Sequence, residues 1–147
     1  MQTNRLLAVL AAIIVVALAA TGCSDSSGET TTADSAADDS GVVFGRGSVP
    51  DTVPDSFPIP EEAVIGATLV DGNRGLTEMI ITFPATVDAV VTYYEDNLPL
   101  SGYEITRSEG TDGDWEIEFN GEGVDGEIRI TAGGSGVSAG TVRLTDL

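Results

Sequence analysis

The sequence predicts an α+β domain in which one helix packs on one face of an antiparallel sheet, in the order ββαββββ. Two periodicities and their punctuation predict it. One stretch repeats its apolar residues at helical spacing, several short runs alternate apolar and polar residues, and the connections between those runs are rich in Gly, Asn and Asp. The folded domain is expected over residues 57–147, preceded by an N-terminal segment (1–22) and a linker (23–56).

The helix is read from Val87, Val90, Val91, Tyr94 and Leu98, whose spacings of three, four and seven place them on a single face. Thr86 suits the N-cap, Asp88 the first turn, and Pro99 is expected to end the helix. Burying these side chains stabilises by at most about 1.5 to 3 kcal/mol each, so the helix needs a sheet to cover. Strands are read at 63–70, 76–83, 103–109, 115–119, 124–131 and 141–145. The connections "DGNRG", "GTDGD", "NGEG" and "AGGSGVSAG" have hairpin-turn composition. Alternation sends Trp115, Ile117, Phe119, Ile128, Ile130, Val142 and Leu144 to one face, and Glu116, Glu118, Arg129, Thr131 and Arg143 to the other.

Upstream of the domain, Ser24–Val49 is rich in Ser, Thr, Asp, Gly and Ala, and reads as a flexible acidic stalk. Pro50, Pro54, Pro58 and Pro60 then predict extended or polyproline geometry. Met1–Arg5 is short and weakly positive, and Leu6–Ala20 is an uninterrupted apolar run of 15 residues. That length fits the core of a signal peptide better than a membrane span, which needs about 20. Cys23, the chain's single cysteine, follows at once behind Ala19, Ala20, Thr21 and Gly22. The arrangement resembles the lipobox of bacterial lipoproteins, with Ala20 where leucine is usual. The resemblance implies diacylglyceryl transfer to the Cys23 thiol, cleavage after Gly22, and a mature chain that begins at the acylated cysteine on the outer side of the cell membrane. Two acyl chains make such an anchor durable. "VVTYYEDNLPLSGYEI" (90–105) and "DSFPIPEEAVI" (55–65) further resemble small domains of actinobacterial lipoproteins, a likeness that transfers no activity.

Composition excludes more than it suggests. The net charge is −18, with 24 acidic residues against six basic ones, all of them arginine. Nucleic acid is therefore not an expected partner. The same acidity also fits a saline habitat or GC-rich coding. Without histidine or lysine the chain lacks the usual Ser-His, Schiff-base and imidazole-metal chemistries, and acylation would remove its thiol. No cofactor and no metal site is expected. The Gly121-Gly123-Gly126 spacing feeds a strand and not a helix, so it reads as a turn. "TDGD" and "GGSGVS" lack calcium-loop spacing.

Two constellations remain. Glu116 and Glu118 lie on the same side of one strand, about 7 Å apart, where they could act as an acid-base pair on a glycan or simply pair with Arg129 or Arg143. Arg107, Arg129 and Arg143, if they share the open face, could form a positive island that receives a carboxylate or acidic loop, or could pair across strands with glutamates. The function expected is that of a lipid-tethered, extracytoplasmic binding module whose partner is a protein, an envelope polymer or a small ligand. The alternatives are an accessory subunit of a membrane complex without its own ligand, and a carboxylate-based glycan hydrolase.

Overall fold

A computed structural model describes residues 41–147. They form one seven-stranded antiparallel sheet and one helix: β1 (Val42–Arg46), β2 (Val64–Asp71), β3 (Leu76–Phe83), α1 (Val87–Leu100), β4 (Glu104–Thr111), β5 (Asp114–Gly121), β6 (Val124–Gly134) and β7 (Val137–Asp146). The spatial order is β1-β2-β3-β7-β6-β5-β4. A meander of three strands is thus joined, through a helix that crosses the sheet, to a returning meander of four, and the C-terminal strand closes the join. The α+β class stands, but the element order is βββαββββ, with one more strand before the helix than ββαββββ allows.

That extra strand lies in the stretch read as linker. Val42–Arg46 pairs with β2 from Val42↔Asp71 to Arg46↔Ala67. Its apolar run is only three residues long between glycines, too short to stand out from the acidic segment before it. The prolines also act differently from expectation. Val53, Phe57 and Ala63 donate backbone bonds of 2.9–3.0 Å to the carbonyls of Pro50, Pro54 and Pro60, so the segment winds through successive turns and does not run extended. These turns drop Val53 and Phe57 into the core, and side-chain bonds from Thr52 to Thr77 (2.6 Å) and Ser56 to Tyr103 (3.2 Å) hold them there.

The helix buries the five side chains its spacing selects, Val87, Val90, Val91, Tyr94 and Leu98, against β4 to β7. Thr86 caps it, accepting from the Ala89 N–H at 3.4 Å. Pro99 sits inside the last turn, where its missing N–H costs one bond only. The stop comes at Gly102, whose φ of +92° lets Tyr103 N–H return to the Leu98 carbonyl at 3.0 Å. On the covered face of the sheet Met79, Ile81, Ile117, Ile128, Ile130 and Val142 are fully buried. Aromatic rings fill the space beneath the helix: Phe119 stacks on Phe57 at 5.8 Å and meets Tyr103 edge-on at 5.3 Å. Gly126 opposes Phe119 across β5 and β6, and a Cβ there would overlap the ring. The other face of the sheet carries no helix among the described residues.

Candidate functional site: the open face of the sheet

Antiparallel register builds a ladder of charge on the open face. Directly opposed residues run Glu78↔Arg143, Arg143↔Glu127, Glu127↔Glu118 and Glu118↔Arg107 across β3, β7, β6, β5 and β4. The next row pairs Arg129 with Glu116, and Glu116 with Glu109. Arg107 donates to Glu109, to Glu116 at 3.3 Å and to Glu118 at 3.1 Å. Arg129 donates to Glu116 and lies 3.5 Å from Glu127. Arg143 holds one oxygen of Glu78 through two nitrogens, at 2.9 and 3.3 Å. Glu116, reached from both sides, is the most sheltered carboxylate of the set.

Arg107 reaches this face only because β4 contains a bulge. Ile105 pairs with Phe119 on the covered side, and strict alternation would send Arg107 the same way. The register shifts between Ile105 and Arg107, so one extra residue, Thr106, turns Arg107 outward opposite Glu118. Ser108 returns to the covered side, where it accepts from the Trp115 indole at 2.9 Å and donates to Glu95 of the helix at 2.7 Å.

The three arginines do share one face, Arg107 by virtue of the bulge, but they do not form a positive island. Five glutamates, Glu78, Glu109, Glu116, Glu118 and Glu127, surround them, leaving this set at −2. Hydrogen bonds to Glu109 and then Glu118 hold the Arg107 proton more tightly than in free arginine. The same bond from Arg107 holds the Glu109 carboxyl below the usual carboxylate range. Arg129 is likewise raised by its bond to Glu116. A depression of about 310 Å³ on this face is lined by Glu118, Asn120, Asp125, Glu127, Arg143 and Thr145. Three carboxylates against one guanidinium suit a cationic group, where the sequence suggested an acidic one. Glu116 and Glu118 both accept from Arg107, which acts as a bridge between the two groups a glycan hydrolase would need as acid and base.

A second concavity, an open groove of about 420 Å³, lies beside the start of the helix among Pro60, Ala63, Phe83, Pro84, Ala89 and Tyr93. Burial, with a smaller contribution from Glu61, raises the Tyr93 phenol above its ordinary value. Sequence reasoning did not find Glu78, Glu109 or Glu127 as members of the ladder. Their part depends on which strands are neighbours, and the β3–β7 pairing joins segments some 60 residues apart.

Cys23, the expected site of acylation, lies outside the described residues. Among the described residues no helix is long and apolar enough to cross a membrane, and no three acidic or thiol side chains converge as a metal site would require. Comparison with family models found no match, and neither did comparison with curated proteins or with solved structures.

Proposed function

We propose that the chain is a membrane-tethered module, anchored outside the cytoplasmic membrane through acylated Cys23, which presents the open face of its sheet to a partner. The supporting observation is the ladder itself. Five neighbouring strands, β3 to β7, hold three guanidiniums and five glutamates in a fixed, exposed array. Fixed charges cost little to order when a partner binds and confer register and orientation. The excess of carboxylates favours a partner whose contact surface is basic, and association through this face weakens as salt rises.

Mass spectrometry of the membrane-extracted protein tests the anchor: the expected species begins at a diacylglyceryl-bearing Cys23, and an unmodified cysteine or an intact leader overturns it. Cross-linking in native membranes tests the face. Adducts that persist undiminished in a Glu118→Gln, Glu127→Gln double variant rule the ladder out as the contact. A co-purifying complex that depends on Cys23 but not on these glutamates favours the accessory-subunit reading instead.

A further inference from the structure

The open face has two halves of different chemistry. The ladder occupies β4 to β7 together with Glu78 of β3, whereas β1 to β3 carry an apolar strip. Phe44 is 69% exposed, Val64 63% and Ile80 47%, with the half-buried Leu69 opposite Phe44. The register makes these neighbours. Leu69 opposes Glu78, Ile80 lies two residues on along β3, and Val64 opposes Thr82, two residues further. Exposed apolar side chains are ordinary when scattered, but here they form one stripe at one edge.

Charge separates the two ends in the same way. Arg46, at the end of β1, has no ion-pair partner among the described residues, while Arg107, Arg129 and Arg143 are all engaged by glutamates. The edges also differ. β4 is guarded by a bulge, Glu104, Arg107 and Glu109, while among the described residues β1 is guarded by its shortness and Arg46.

The geometry points to the β1 edge and its apolar strip as a membrane-contacting surface, with the bilayer interface as its occupant. This rests on the tether proposed above. Cys23 and Gly41 are 18 residues apart in sequence, so β1, which carries Phe44 of the strip, is the strand joined to the anchor by the shortest length of chain. A tethered domain samples the surface at a high effective concentration, so a contact too weak to hold a free protein is enough to orient this one. An exposed aromatic beside an arginine with no carboxylate partner among the described residues has the composition of an interfacial anchor. Four apolar side chains fall far short of the about 20 to 30 residues per side in a stable protein interface, which argues against a second copy as occupant. Seven strands span about 29 Å from β1 to β4, so of the ladder only Glu78 stands beside the strip, and a sheet tilted onto its β1 edge lifts the remaining carboxylates away from the headgroups.

The test uses the chain from Cys23 onward, coupled through that thiol to a maleimide-bearing lipid in phosphatidylcholine vesicles, either plain or with brominated acyl chains. Chemical coupling makes the readout independent of cellular acylation, which the mass of the native protein reports separately. In a Phe44→Trp variant, the emission added over wild type is expected to lose at least about half its intensity on brominated vesicles, while Trp115, near the far edge, keeps its own. Adding Ile80→Ser and Val64→Ser restores the lost emission, with circular dichroism confirming the fold. Equal brightness of the introduced indole on both vesicles overturns the proposal, as does equal quenching of Trp115. So does an uncoupled chain that sediments as a dimer and becomes monomeric on Phe44→Ser, which would make the strip an interface between copies.

Discussion

Tyr94 is expected to be a site where removing an atom strengthens the protein. Its ring is fully buried, 6.2 Å from Phe57 and 6.1 Å from Phe83, yet its hydroxyl has no hydrogen-bond partner among the described residues. An unpaired buried hydroxyl costs about 1 to 3 kcal/mol. Tyr94→Phe keeps the ring contacts and removes that cost, so unfolding free energy should rise by about 1 to 2 kcal/mol, with part of the gain lost to the small void left behind. For a domain of this size the melting temperature should rise by about 4 to 10 °C. Burial also raises the Tyr94 phenol well above tyrosine's ordinary 10.0. Because the folded value is the raised one, the native state keeps its proton while the unfolded chain releases it above about pH 10, so stability falls as pH climbs from there toward the folded value. The steepest contribution of one such group is about 1.4 kcal/mol per pH unit. Urea unfolding at pH 7 and at pH 11 reads both effects: the variant should gain at pH 7 and gain more at pH 11. A variant no more stable than wild type at pH 7, or an advantage that shrinks with rising pH, refutes the reasoning.

Three further outcomes follow from the packing. Gly126→Ala drives a Cβ into the Phe119 ring and should cost about 1 to 3 kcal/mol in urea unfolding. Phe57→Ala empties the space between Tyr94, Tyr103 and Phe119 and should cost about 3 to 5 kcal/mol, which would show that the proline-rich segment belongs to the cooperative unit. Deleting Thr106 removes the bulge, so either Arg107 turns toward the core or the rest of β4 slips. Amide exchange along β4 and β5 should quicken while β2 and β3 keep their protection, whereas uniform exchange would contradict a local register effect.

Local patterns make most of the fold readable. The helix face is visible because 3.6-residue spacing is a property of contiguous sequence, and all five side chains it selects are buried. β3 is visible at its full extent because Met79, Ile81 and Phe83 alternate with exposed neighbours. β7 reads as 141–145 but begins at Val137: "AGGSGVSAG" looks like one long turn, while the chain needs only Ser135 and Gly136 to reverse. The hidden parts are those fixed at a distance. β1 is defined by the β2 edge it completes, and Phe57 by the aromatic pocket that receives it. The outward turn of Arg107 depends on a bulge that alternation alone would deny. The ladder is half legible, since face can be read from parity but partners cannot be read without strand order.

The last strand in the sequence is a central strand of the sheet. β7 pairs with β3 on one side and β6 on the other, so the two meanders meet only through residues 137–146. A polypeptide emerging N-terminus first can form hairpins as it goes, but it cannot join them until those residues have emerged. For a chain exported in the way proposed here, this delay keeps it threadable until the joining strand is made, and it makes that strand, not the tethered end, the poor place for a truncation.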